Sequence, residues 1–495
     1  MRLYFFMKKM KKFLLSVLVA CASLSAFAQD NAVADTAKHH HRHHRHHRNG
    51  VVFEGNDKNP KVSLYGFVRN YFTYDSHTEQ TVCGGLFNTL PYNENLNLRG
   101  EDLNAQPSAQ WMAFTTRLGI NLQGPKLNEI CTMSGKVEMD FCGYGTYSYV
   151  LRLRQAFMRL SWQKNMLTLG QTWHPMFNSD MMPGCAALAT GSPFQPFNRS
   201  PQIRHDVRFG KDNGWRWTTD LLWMLQYTPV GPTTKEERDK EVKEGKNPAL
   251  STANIRFLNN SCIPDLYFGL DHTGKKTIVG VGADLTSLKP LTTRGEKMNY
   301  EGKDTVCTVK SKDRITAISP MFYFQYKPSS KFKLMAKAVY GQNTAHLNMP
   351  SGYGLTKVNE ETGECEYTPL RMFSTWINPV WTSVSKNSGN ITKISFFAGF
   401  QKNFGAKEGM VEEYVKYTEL QHKGGKTLDN CFRLCPTYTY TIKSFDMAFE
   451  YELTGATYGK EEKDNEGLWL GRAVEEDRNT VVNHRVCLMV KYNFK

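Results

Sequence analysis

The sequence predicts an all-β protein: a transmembrane antiparallel β-barrel of sixteen strands, with short periplasmic turns and long extracellular loops. Three observations predict it. From Val62 onward, strand-like segments alternate apolar and polar residues. Their connections alternate long and short to the end of the chain, as barrels require when one membrane face carries tight turns and the other carries loops. No later stretch reaches the ~18 to 20 unbroken apolar residues of a membrane helix. The mean hydropathy of −0.50 suits a barrel, in which only every second strand residue meets lipid.

The chain opens with a targeting signal. Lys8, Lys9, Lys11 and Lys12 precede an apolar run over residues 13–24, and Ala26-Phe27-Ala28 forms a small-x-small cleavage site, which places the signal peptide at 1–28. A rival reading takes Leu18-Val19-Ala20-Cys21 as a lipoprotein box with Cys21 lipidated. Either way the chain is exported. Residues 29–60 form a His/Arg-rich periplasmic segment, and 61–495 form one barrel domain with no dividing linker. The segment 39–48 reads HHHRHHRHHR. Histidines at this density bind metals, but the interleaved arginines oppose cation capture, and a flexible basic tether is the expected role.

Five strands show the period of two most clearly. In 133–141, Met133, Val137, Met139 and Phe141 oppose Ser134, Lys136, Glu138 and Asp140. In 114–122, Phe114, Leu118, Ile120 and Leu122 oppose Thr115, Arg117 and Asn121. In 215–227, Trp215, Trp217, Leu221, Trp223, Leu225 and Tyr227 oppose Arg216, Asp220 and Gln226. Segments 391–404 and 481–494 follow suit. A soluble sandwich alternates likewise, but these segments run to ~9 to 15 residues, the length of tilted membrane strands. Aromatic residues at strand ends (Tyr71, Phe72, Tyr74, Trp162, Trp173, Trp381, Tyr492, Phe494) read as interfacial girdles. Turns fall at 163–164, 211–213, 272–276, 328–330 and 385–390, rich in Gly, Asn, Ser and Pro. The first loop, 76–111, lies outside, and the charge run KEERDKEVKEGK (235–246) is a solvated extracellular loop.

The formal net charge is +15, and the signal holds five basic and no acidic residues, so the exported chain carries +10. A basic balance can mean nucleic acid, but an exported chain without a basic helix excludes that partner. Two readings remain: a lumen biased towards anions, or a basic surface facing acidic lipid. The cysteines show no metal spacing. Free thiols are expected, Cys431 and Cys435 sharing a face, although pairing in loops, as at Cys307 or Cys365, stays open. No GxSxG or HExxH motif occurs, so no enzyme, cofactor or metal is expected.

The connection 174–201 is poor in charge and rich in Pro, Gly, Ala, Met and Phe, a composition that favours folding inward to narrow the pore. Arginines surround it: Arg152 and Arg154 alternate on the fourth strand, Arg199 stands at the loop exit, Arg204 and Arg208 alternate on the sixth strand, and Arg216 faces inward on the seventh. Guanidinium groups suit carboxylates. The competing expectation pairs them with lumen acids such as Glu138, Asp140, Asp206 and Asp220. His205, out of phase with the arginines, faces lipid or a neighbouring subunit.

The segments KVSLYGFVRNYFTYD, LRLRQAFMRLSW, LTLGQTWHPMF, NRSPQIRHDVRF, LMAKAVYGQNTAHL and FFAGFQKNFG resemble the DcaP-like outer-membrane porins, over about residues 61 to 495. The resemblance implies a homotrimer in a Gram-negative outer membrane, embedded in its lipid, that passes small anionic solutes such as dicarboxylates. It singles out Arg152, Arg154 and Arg204 for a basic constriction. Two departures stand. Residues 29–60 lack the heptads of the coiled-coil extension some members carry, and Asn493-Phe494-Lys495 puts the terminal aromatic one place early. A barrel whose loops bind a partner without transport is the alternative function.

Overall fold

The computed structural model describes residues 51–494, apart from 57–58, 83–84, 86, 144–149 and 417–424. The signal peptide, Cys21 and the histidine tract lie outside the described residues. Sixteen wall strands follow in order: β1 (Lys61–Asp75), β2 (in two pieces, Ser108–Met112 and Arg117–Lys126), β3 (Cys131–Gly143), β4 (Val150–Trp162), β5 (Asn165–Trp173), β6 (Arg199–Phe209), β7 (Trp215–Leu222), β8 (Asp265–Thr273), β9 (Thr277–Leu288), β10 (Ile315–Tyr326), β11 (Phe332–Gln342), β12 (Arg371–Val384), β13 (Ile391–Gly405), β14 (Lys426–Ile442), β15 (Phe445–Lys463) and β16 (Asn479–Phe494). Each pairs antiparallel with the next, and β16 pairs with β1 from Gly66↔Phe494 to Asp75↔Arg485, which closes the barrel. Closure leaves no unpaired wall edge, the condition for a sheet to cross lipid. The pair Val52–Phe53 adds to β1 at Val62 and Ser63, so the sheet reaches back past residue 61.

Alternation decides the two faces. Leu151, Leu153, Ile203, Trp217, Val281, Phe322, Ile377 and Ile394 stand exposed on the outside, whereas Glu138, Asp206, Asp271, Lys337, Asn378, Arg433 and Glu450 are buried on the lumen side. Short turns occupy one end, at 163–164, 210–214, 274–276, 327–331 and 385–390, with further ones at 127–130 and 443–444. That end is periplasmic by the rule for such barrels.

Several expectations need correction. Phe114 is buried, packed with Tyr71 and Cys142 in the lumen cluster, not set on the outer face. Strand β2 breaks at 113–116, where Thr116 folds back on the Ala113 carbonyl through N–H (3.1 Å) and Oγ (2.9 Å). The seventh strand stops at Leu222 rather than Tyr227, and Tyr227 turns inward. Two expected girdle aromatics also face inward. Tyr71 donates to the Ala186 carbonyl at 2.7 Å, and Trp173 stacks on Phe177 with ring centroids 3.9 Å apart. Trp381 and Tyr492 remain exposed.

The first loop is not wholly external. Phe87–Pro91 is buried throughout, held by Arg433 donating to the Thr89 carbonyl (2.8 Å) and Tyr458 to the Pro91 carbonyl (2.5 Å). The charge run 235–246 contains a helix, α1 (Lys235–Lys243), because Thr234 and Glu237 form a reciprocal capping box. Arg256 bonds Glu237 at 2.9 Å and holds its carboxyl down at about 2, so this tie persists at neutral pH and lapses only as pH falls towards that value. Thr234→Ala should cost the helix about 1 kcal/mol, read as faster amide exchange confined to 235–243. The nine described cysteines outside 1–50 are free, and Cys431 and Cys435 are both buried on one face.

Candidate functional site

The connection 174–198 folds into the lumen. Its Met176, Phe177, Met181, Phe194 and Phe197 are almost fully buried. A backbone taken from water must find other partners, and the wall supplies them. Lys337 on β11 donates to the carbonyls of Met176 (2.8 Å) and Phe177 (2.7 Å). Asn378 on β12 accepts from Gly184 N–H at 2.8 Å, while Ser395 on β13 donates to the Gly184 carbonyl at 2.6 Å. Glu450 on β15 accepts from the N–H groups of Ala186 (2.6 Å) and Ala187 (2.8 Å). Arg433 on β14 donates to the Ser192 carbonyl at 2.9 Å. Gly191, at φ +85°, sits where a Cβ would lie 2.8 Å from the Phe397 ring, so the turn requires glycine. A second buried segment, around His346, Leu347 and Met349, leans on the loop through Phe197 N–H to the Leu347 carbonyl (2.8 Å).

The wall arginines divide by their partners. Arg154 bonds Glu138 (2.9 Å) and Asp140 (2.7 Å), and Arg152 forks onto Asp140 at 3.0 and 2.9 Å. Glu138 also receives Tyr65 OH at 2.8 Å and lies 3.6 Å from Arg117 and 3.4 Å from Lys136. These two arginines brace the wall. Arg204 bonds Asp206 at 3.0 Å, and Arg216 bonds Asp271 at 2.9 Å. Arg208 is exposed at the periplasmic end and reaches the Asn213 carbonyl. Arg199 is buried with its guanidinium 4.3 Å from the Trp173 ring centroid and 5.5 Å from that of Phe197, a cation–π seat. Asp220 has no arginine within ion-pair distance among the described residues, and both its carboxylate oxygens lack hydrogen-bond partners.

Between the loop and strands β3 to β10 lies a cavity of about 400 Å³. Four cations line it, Lys136, Arg159, Arg204 and Arg216, against two acids, Asp180 and Asp271. Of the cations, only Arg159 lacks a carboxylate within ion-pair distance among the described residues. It bonds Thr168 Oγ1 at 3.2 Å and lies over Phe157 at 4.6 Å. The structure thus brings Arg204 and Arg216 together with Arg159, and sets Arg152, Arg154, Arg199 and Arg208 apart from that cavity.

Arg159 escapes a reading by alternation. Counting by twos from Arg152 and Arg154 puts it outside. The β3–β4 register instead jumps from Glu138↔Gln155 to Met139↔Leu153, which leaves Arg154 as an extra residue. Such a bulge reverses the parity of everything beyond it, so Gln155, Phe157 and Arg159 turn inward.

No protein-family model matches the chain, and no curated protein matches it. Solved structures do. The outer-membrane channel DcaP of Acinetobacter baumannii is similar over 90% of this chain and 100% of its own, at 16% identity and TM-score 0.55. OmpT of Vibrio cholerae, an outer-membrane protein, matches at 8% identity and TM-score 0.46, over 90% of this chain and 100% of that one. An anion-selective porin from Comamonas acidovorans matches at 9% and 0.44, over 88% and 100%. With the closed wall and apolar exterior described above, the likeness to DcaP gives this chain the sixteen-stranded fold of a Gram-negative outer-membrane channel.

Proposed function

We propose that the chain is a porin through which small anionic solutes, dicarboxylates among them, diffuse across the outer membrane past a basic constriction. The observation that carries this reading is the inward loop. A closed barrel with an apolar exterior has no need of a lumen segment pinned by six wall strands unless the bore is to be narrowed. The anionic preference rests on Arg159, Arg204 and Arg216 around one cavity. Arg159 is free of a carboxylate, so an entering carboxylate meets a planar donor fork. Arg204 and Arg216 each bond one acid, and a passing solute can share their guanidinium donors with Asp206 and Asp271. Arg199, on its aromatic seat, adds positive potential higher in the lumen. Arg152 and Arg154, neutralised by Asp140 and Glu138, shape the wall more than the field. Assembly as a homotrimer follows the family resemblance, and chemical cross-linking in native membranes tests it.

The test of transport is the reversal potential of the purified protein in a planar bilayer under a KCl gradient. Stepwise conductance with chloride preferred over potassium is expected. Arg159→Ser should move selectivity towards cations, and Arg159→Ser with Arg204→Ser should move it further. Selectivity unchanged by both would place the anion preference elsewhere. No conductance from correctly folded protein would favour a barrel whose loops bind a partner instead.

A further inference from the structure

We propose that His174, Asp265, Asp284 and His346 form a tetrahedral site for a divalent transition-metal ion, Zn2+ foremost, that fastens the inward segments to the barrel wall. The four residues come from four separate places. His174 is the residue at which the chain leaves β5 for the inward loop. Asp265 opens β8, Asp284 lies on β9, and His346 sits in the short 3-10 turn Ala345–Leu347 of the second buried segment. Their side chains are buried to within 2% exposure.

The geometry is that of a coordination shell. His174 Nε2 lies 3.4 Å from Asp265 Oδ2 and 3.5 Å from Asp284 Oδ1, while His346 Nε2 lies 3.6 Å from Asp265 Oδ2 and 3.1 Å from Asp284 Oδ2. One ligand atom from each residue falls within 4.8 Å of every other. Ligands about 2.0–2.1 Å from a tetrahedral zinc stand roughly 3.3–3.4 Å from one another. Three of the four contacts are too long for good hydrogen bonds, yet each lies within a few tenths of an ångström of that edge, Asp284 offering Oδ1 to His174 and Oδ2 to His346.

Charge points the same way. No Lys or Arg lies within ion-pair distance of Asp265 or Asp284 among the described residues, and Oδ1 of each lacks a hydrogen-bond partner. Asp220, across Tyr267 from Asp284 in the β7–β8–β9 register, is a third fully buried carboxylate with both oxygens unpartnered. Buried carboxylates need a counter-charge, and Arg204, across the strand pair from Asp220, bonds Asp206 instead. Two imidazoles with two carboxylates suit zinc or its transition-metal neighbours. Calcium and magnesium take shells of oxygen instead. One adjustment is needed. Met176 N–H donates to His174 Nδ1 at 3.2 Å; metal on Nε2 moves the ring proton to Nδ1, and this long contact opens. Sequence spacing hides the site, because no two of its ligands are neighbours along the chain.

The test uses the full chain, folded in detergent and stripped of metal, with ZnCl2 or CoCl2 as the only addition. A parallel full-chain form has the seven histidines of 39–48 replaced by alanine, to remove the competing tract. One Zn2+ per chain should survive dialysis in both forms, measured by elemental analysis. Co2+ should give the intense visible bands of a tetrahedral ion. His346→Ala and Asp284→Asn should each lose the metal and the gain in melting temperature that zinc gives the parent. Where His346→Ala fails to fold, His174→Gln and the parent's cobalt spectrum decide. Metal that follows the 39–48 histidines, a weak octahedral cobalt spectrum, or zinc retained by the site variants would each overturn the proposal. Metal content is read apart from conductance, so it stands or falls independently of the porin reading.

Discussion

Arg154→Ala is expected to destabilise the barrel by about 3–5 kcal/mol, the usual loss when one partner of a buried ion pair is removed. Glu138 and Asp140 are both almost fully buried, and Arg154 touches each. Its removal leaves two carboxylates facing each other with only Arg152, Arg117 and Lys136 to compensate. Arg152→Ala should cost less. Its side chain is 15% exposed, and Asp140 keeps Arg154. The double change Arg154→Met with Glu138→Gln should recover part of the loss, because Glu138 is then neutral and Asp140 keeps Arg152. Urea unfolding in detergent, with the heat-shifted gel mobility of folded barrels as a second probe, reads all three. Equal losses from Arg152→Ala and Arg154→Ala would show that the two arginines brace the cluster equally. An unchanged stability with altered ion selectivity would return Arg154 to the solute path.

The contrast between wall-bracing and cavity-lining arginines shows what the sequence could reveal. Strand number, turn positions and wall faces were legible because alternation and turn chemistry are local. The turns at 163–164 and 385–390 stand where Gln163-Lys164 and the Ser/Asn-rich segment place them. The inward loop was legible too, since its lack of charge leaves it nothing to gain in water. Parity was not. One bulge at Arg154 carries Arg159 from outside to inside, and the break at 113–116 carries Phe114 the same way; neither leaves a mark in composition. Phe87–Pro91 also looked external, because its anchors, Arg433 and Tyr458, lie far away in the chain. The His174–His346 cluster exists only once β8 and β9 bring Asp265 and Asp284 beneath the segments that carry the two histidines.

Glu450→Ala should loosen the inward loop and raise single-channel conductance severalfold. The Glu450 carboxylate, fully buried, accepts from Ala186 N–H, Ala187 N–H and Thr437 OH at 2.6 to 2.8 Å. Without it, two backbone donors are orphaned inside the lumen, at about 1–3 kcal/mol each. The loop can avoid that loss only by moving the 184–188 stretch to water, and such movement widens the bore. Glu450→Gln keeps one acceptor oxygen and should fall between the parent and alanine. The remaining pins, Tyr71, Lys337, Asn378, Ser395 and Arg433, limit the displacement, so conductance should fluctuate between levels instead of settling at a new one. A stable barrel with unaltered conductance in Glu450→Ala would mean that another inward segment, Phe87–Pro91 or that around His346, sets the narrowest point. Lys337→Met gives the companion measurement at the loop's other end, where the Met176 and Phe177 carbonyls would be left without their donor.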